Sequence, residues 1–245
     1  MKKAILIGVA MFGLVACGTD TVVAQTGASE AIAAAVASPA RPEADRARDG
    51  DRKPAEIVEF AGVEPGMTIA EIAPGGGYYT RILSKSVGPE GKVYALMPAF
   101  FANRPGGLDG INALAAEYGN VEVVVIDYAT TELPSAADLV WTTENYHDMA
   151  NGNVAEVNGW AFKALKPGGI YFVEDHSAPG TGLTATSTLH RIDPAAVTEQ
   201  VTAAGFVLEA ESDLLVNPAD PMDISPRAVE TGVSTKFAHR YRKPE

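Results

Sequence analysis

The stretch "EIAPGGGYYTRIL", Glu71 to Leu83, decides the fold, because a glycine run is a plain turn in one setting and a ligand cradle in another. Upstream, Thr68 to Ile72 reads as a short apolar strand entered through the turn "EPG"; downstream, "YYTRILSKSVG" returns to helical spacing. The glycines therefore join a strand to a helix. Before them, "KPAEIVEFAG" predicts a helix that starts at Pro54, places Ile57, Val58 and Ala61 on one face and stops at Gly62.

The alternation continues to the end of the chain. "GKVYAL", "VEVVVIDY", "ADLVWTTE" and "GGIYFVED" read as strands, with "GLDGINALAAEYG" and "VAEVNGWAFKAL" as helices between them. A helical "DPAAVTEQVTAAG" and two further strand patterns, "FVLEAESDLL" and "STKFAHRYR", follow. Strands alternating with helices predict a largely parallel sheet wound on both faces. The nearly continuous apolar run in "VEVVVI" suggests a strand buried on both sides. In such sheets ligands bind at the carboxyl ends of the strands, and a glycine-rich turn after the first strand lies there.

With 245 residues, 47% of them hydrophobic and 20% charged, the chain can bury a sizeable core. A formal net charge of −12 and the lack of a dense Lys/Arg block argue against a nucleic-acid surface. The N-terminus, "MKKAILIGVAMFGLVACG", has two lysines, an apolar stretch too short for a comfortable membrane span, and small residues around Cys17. Residues 1–17 read as an export signal. Leu14-Val15-Ala16-Cys17 resembles the lipobox of bacterial lipoproteins, with Cys17 as the acylated residue; ordinary cleavage after Val22-Val23-Ala24 is the alternative. The expected address is the periplasm, with membrane contact only through a lipid anchor. Residues 18–44, rich in small residues, are expected to be a flexible tether, and residues 45–245 the folded domain.

The glycine loop resembles the first motif of the class I S-adenosylmethionine-dependent methyltransferases, an acidic residue ending the first strand followed by spaced glycines, here Glu71, Ala73, Gly75 and Gly77. "LKPGGIYFVED", Leu165 to Asp175, looks like that family's entry to its fifth strand, and Asp127 sits where the family often places an acid against adenine. The segments "PGGGYYT", "YHD", "DHSA" and "LHRID" bring the chain close to a group of exported or lipoprotein-type methyltransferases. The resemblance implies a Rossmann-like, doubly wound α/β sheet of seven mostly parallel strands. It also implies methyl transfer from S-adenosylmethionine to a small-molecule acceptor, with Glu71, Ala73, Gly75, Gly76, Gly77, Tyr78 and Asp127 at the cofactor. Two positions depart from the pattern: Ala73 replaces the usual first glycine, and the second strand ends in Met97-Pro98 where the family carries a ribose-binding acid.

Three of the four histidines lie in polar clusters, "ENYHDM" (His147, Asp148), "VEDHSA" (Asp175, His176) and "LHRID" (His190). The first two clusters follow strands and are expected to converge beside the glycine loop. Methyl transfer needs an aligned nucleophile and, where that nucleophile carries a proton, a base. His147 or His176 fits the base, with Asp148 or Asp175 orienting it. The rings of Tyr78 and Tyr79 can face a sulfonium or simply pack. The same side chains also suit a divalent metal, with His147, His176 and His190 as ligands, or strand-end histidines that only satisfy loop carbonyls. His239 reads as structural, and "NPADPMDISPR" as a loop over the substrate side. Because S-adenosylmethionine is made in the cytoplasm, export favours a second reading, a non-enzymatic ligand- or metal-binding protein on a repurposed fold.

Overall fold

The computed structural model of the protein describes residues 20–230 and 232–245. The export segment 1–17, with the lipobox and Cys17, lies outside the described residues, and no helix among those described is long and apolar enough to cross a membrane.

The strands are β1 (Thr68–Ile72), β2 (Lys92–Pro98), β3 (Val121–Ile126), β4 (Ala137–Thr143), β5 (Leu165–His176), β6 (Val207–Ser212) and β7 (Lys236–Arg242). They form one sheet in the order β3-β2-β1-β4-β5-β7-β6. β1 to β5 run parallel, and β7 lies antiparallel between β5 and β6. The helices are α1 (Asp20–Val36), α2 (Glu43–Arg46), α3 (Asp49–Arg52), α4 (Pro54–Phe60), α5 (Tyr78–Val87), α6 (Ala99–Ala102), α7 (Asp109–Tyr118), α8 (Tyr146–Ala150), α9 (Val154–Ala164), α10 (Thr186–Leu189) and α11 (Pro194–Ala203). The expected Rossmann-like, doubly wound sheet of seven mostly parallel strands is present.

Successive strand residues point to opposite faces, which splits the core in two. Ile69, Leu139, Trp141 and Phe172 face α1, α4, α5 and α7, whereas Ala70, Val140, Tyr171 and Val173 face α9 and α11. β3 departs from expectation. It forms the sheet edge, and Val125 is 46% exposed, because an edge strand lacks a neighbour on one side and its flanking helices do not extend fully over it. An apolar run reports affinity for a sheet, not position within it.

The tether expected over residues 18–44 also needs correction. α1 fills much of it and buries Ala28, Ile32 and Ala35 against α4 and α5. Alanine is the strongest helix former, and its small side chain lets two helices approach closely, so a segment poor in large apolar residues still packs. Arg41 is 1% exposed; it donates to the Val36 carbonyl at 2.7 Å, capping α1, and grips both oxygens of Asp49 at 2.6 and 2.8 Å. Residues 41–52 are thus strapped over the sheet.

Candidate functional site

Two adjoining compartments open at the carboxyl ends of the parallel strands. The larger is a cleft of about 1010 Å³. Its wall is the glycine loop, from Glu71 to Gly76, with Met97 and Pro98 from β2, Phe100 and Phe101 from α6, and Asp127 and Tyr128 after β3. The loop turns through left-handed conformations at Ala73 (φ 51°), Gly75 (φ 58°) and Gly77 (φ 82°). For Ala73 this costs on the order of 1–2 kcal/mol. A Cβ at Gly75 or Gly76 would meet nothing within 4 Å, so bare backbone faces the cleft. Gly77 differs: a Cβ there would lie 2.4 Å from Leu114 Cδ1, and the residue caps α5 without lining the cleft. Gly77 thus has a packing role as well. The Gly76 carbonyl accepts a 2.8 Å bond from Arg81, which also pairs with Asp45 of the strap at 3.1 Å.

Glu71 is buried and accepts a 2.6 Å bond from the Thr80 hydroxyl. Burial pushes its carboxyl up to about 7, against the pull of Thr80 and Arg81. Asp127 is exposed at the cleft edge and accepts the Ala129 N–H at 3.0 Å. β2 presents Met97 and Pro98, and no carboxylate, to the cleft. Tyr78 and Tyr79 are both buried. Tyr78 donates to Asp49 and has the guanidinium groups of Arg41, Arg48 and Arg52 at 5.2, 5.4 and 4.8 Å from its ring. Tyr79 packs on Trp141 at 4.9 Å. Both tyrosines line the cleft, and the ring of Tyr78 is already faced by three guanidinium groups. The bare glycine cradle fits a nucleoside-type cofactor, and so does the Tyr128 hydroxyl, buried in the cleft wall with no partner among the described residues.

The second compartment, about 530 Å³, is a charged chamber over β4, β5 and β7, lined by Glu144, His147, Asp148, His176, His190 and Lys236. It shares Arg48, Arg52, Glu144 and Asp148 with the cleft. His147, on α8, is 4% exposed. Its Nδ1 lies 2.8 and 3.0 Å from the two oxygens of Asp175, and its backbone N–H donates to Asp175 at 2.7 Å. Burial disfavours the charged imidazole, but the Asp175 carboxylate outweighs it and the pKa rises. Asp175, fully buried at the end of β5, also accepts the His176 N–H at 2.7 Å. It does not line the chamber; it holds the histidine that does. His176 Nδ1 lies 2.7 Å from the Ser234 hydroxyl, and burial pulls its pKa down to about 4 despite Asp175 and Glu144.

Glu144, directly after β4, is held at φ 56°, a strained conformation for a residue with a side chain. It pairs with Arg52 and, at 2.7 Å, with Lys236, whose Nζ is also 3.1 Å from Glu174. Burial opposes its ionisation, yet Lys236 and Arg52 bring its carboxyl down to about 2. The loop "NPADPMDISPR" does reach the chamber, through Ser225, Pro226 and Arg227. Arg191 of "LHRID" anchors it from a fully buried position, donating to the Ile224 and Ser177 carbonyls and pairing with Asp220 at 2.9 Å. His239 lies in β7, away from both compartments, 2.9 Å from the Tyr241 hydroxyl.

Sequence reasoning missed Arg48, Arg52, Glu144 and Lys236. Glu144 was reachable by the strand-end rule that found His147. Lys236 was also reachable: an antiparallel strand turns its first residue, not its last, toward the carboxyl ends of its parallel neighbours.

No protein-family model matches the chain. Over 117 residues it is 31% identical to the protein-L-isoaspartate O-methyltransferase of Methanococcus maripaludis, covering 46% of this chain and 49% of that protein. The chain thus spans about half the length of the curated relative it matches. Among solved structures, a SAM dependent methyltransferase from Aquifex aeolicus is similar with a TM-score of 0.59 and 18% identity, over 80% of this chain and 92% of that one. The [4+2]-cyclase SpnF is similar with a TM-score of 0.60 and 16% identity, over 95% and 98% of the two chains. At such identities the likeness concerns architecture. The chain has the Rossmann-like α/β fold of the class I methyltransferases.

Proposed function

We propose that the protein transfers a methyl group from S-adenosylmethionine to a small-molecule acceptor. The observation that carries this reading is the bare backbone of Gly75 and Gly76, which faces a 1010 Å³ cleft that shares a wall with the His147–Asp175 chamber. The cofactor takes the cleft, with Glu71, Ala73, Gly75 and Gly76 beside its amino-acid and ribose portions and Asp127 toward adenine. The acceptor takes the chamber. Asp175 fixes the Nδ1–H tautomer of His147, which leaves the Nε2 lone pair for the acceptor's proton while the methyl passes from sulfur to the acceptor nucleophile. S-adenosylhomocysteine is the other product. His176, bonded through Nδ1 to Ser234 and lowered to about 4, is the weaker base of the two.

A second reading, a non-enzymatic ligand- or metal-binding protein on the repurposed fold, is favoured by Met97 and Pro98 at the end of β2, which leave the ribose hydroxyls without a charged acceptor. Calorimetric titration of the chain with S-adenosylmethionine and S-adenosylhomocysteine separates the two. Saturable binding that is lost in Gly76→Val supports methyl transfer; absence of binding to both nucleosides sinks it. We further propose export to the periplasm with acylation at Cys17, on the pattern of residues 1–17. Incorporation of a labelled fatty acid that persists in Cys17→Ser would refute the acylation.

A further inference from the structure

Three chamber side chains stand in a relation that hydrogen bonding does not explain. His147 Nε2 is 3.5 Å from Asp148 Oδ1, and His190 Nδ1 is 3.7 Å from the same oxygen. Donor atoms of the three residues all lie within 4.8 Å of one another. Those gaps exceed the roughly 2.7–3.2 Å of a nitrogen–oxygen hydrogen bond. The two nitrogen–oxygen gaps are close to the edge of a coordination tetrahedron, about 3.3–3.6 Å between ligand atoms for metal–ligand bonds of about 2.0–2.2 Å.

The surroundings are those of a ligand set. The far nitrogen of His147 is held by both oxygens of buried Asp175, the carboxylate–histidine support that orients a metal-binding imidazole. His190 closes α10 at φ 55°, a conformation rare for a residue with a side chain, and is followed directly by the buried clamp Arg191. Its backbone is therefore pinned although its ring is 58% exposed. His176 falls outside the set: its Nδ1 is engaged by Ser234 and its ring centre lies 6.1 Å from that of His147. Asp148 takes the place that the sequence reading gave to His176.

We propose that His147 Nε2, Asp148 and His190 bind one divalent transition-metal ion of the zinc class. Two imidazoles and one carboxylate suit such an ion, and three protein ligands leave a coordination position open to the chamber. This goes beyond the methyl-transfer reading and does not depend on it. An ion here would take up the His147 lone pair and replace His147 as the activating group: an acceptor hydroxyl in the open position would be acidified by the ion and lose its proton to solvent, which narrows the acceptor to one that offers oxygen rather than an amine or carbon.

The test is metal binding without S-adenosylmethionine. The purified full chain, stripped with a chelator and dialysed, is titrated with cobalt(II) by visible absorption and with zinc(II) by calorimetry. One equivalent is expected, with the intense absorption of a tetrahedral cobalt site. His190→Ala and Asp148→Asn, both at exposed side chains, should weaken binding at least about 10-fold while leaving the circular dichroism spectrum unchanged. Asp175→Asn should weaken it by about 10–100-fold through the outer carboxylate, and His176→Ala should leave it intact. No saturable binding by the wild-type chain would overturn the proposal. So would binding that survives both His190→Ala and Asp148→Asn, including binding at Cys17, or binding lost in His176→Ala.

Discussion

The cleft and the chamber share a wall and a sheet but are made in opposite ways. The cleft is formed largely by main chain: a strand end, a loop whose glycines leave the backbone bare, and apolar side chains at its margins. The chamber is formed by charged side chains from α3, α8, β7 and the loops after β4 and β5, of which Arg52, Glu144, His147 and Lys236 are held by other charged groups. A backbone site depends on conformation and tolerates changes in neighbouring side chains. A side-chain site depends on each partner, because removing one leaves another charge buried alone.

That contrast is broken or sharpened most severely at Lys236. Lys236→Met leaves Glu144 and Glu174 without their shared cation and should cost about 3–5 kcal/mol, read from urea unfolding. A loss under about 1 kcal/mol would mean that Arg52 alone suffices and that the chamber is less interdependent than its geometry implies. The matching change in the cleft is Gly76→Val. Open space meets its side chain, so stability should hold within about 1 kcal/mol, while S-adenosylmethionine affinity falls by at least roughly 100-fold as the side chain fills the cradle.

Next comes Glu71, the buried carboxyl at the head of the glycine loop. Its folded pKa of about 7 lies above the 4.5 of an unperturbed carboxyl, so between those values the folded chain binds the proton more tightly and stability declines as pH rises. Glu71→Gln removes the ionisation and keeps an acceptor for Thr80. The variant should gain on the wild type by roughly 3 kcal/mol from pH 4.5 to pH 7 and little further above it, measured by denaturation at each pH. A constant difference across that range would refute the burial argument. The smallest effect is expected for Arg81→Ala, which frees the Gly76 carbonyl and Asp45: about 0.5–1 kcal/mol of stability and a several-fold loss of cofactor affinity by calorimetry.

Legibility in the sequence follows the same division. The strand at Thr68–Ile72, the helix at Tyr78–Val87 and the turn between them were readable because periodicity and glycine placement are local signals. The pairing of "YHD" with "EDH" was readable because both follow parallel strands. Which carboxylate orients His147 was not: Asp148 is adjacent in sequence, yet Asp175, 28 positions away, makes the bond. α1 was missed because alanine carries little hydrophobic signal, and the edge position of β3 because strand order is set by connections rather than by composition. That Gly77 also admits Leu114 was not readable, because spacing alone does not tell what packs against a glycine.

Arg52 reaches from the strap to Glu144, and both residues face the two compartments at once. Occupants on either side would therefore meet the same ion pair, the contact through which their affinities could be linked. If a filled cleft tightens the chamber's hold on its ligand by some factor, the chamber's ligand must tighten the cleft by that same factor. Binding order then leaves the final complex unchanged in free energy, and a cycle of four titrations closes on one coupling constant.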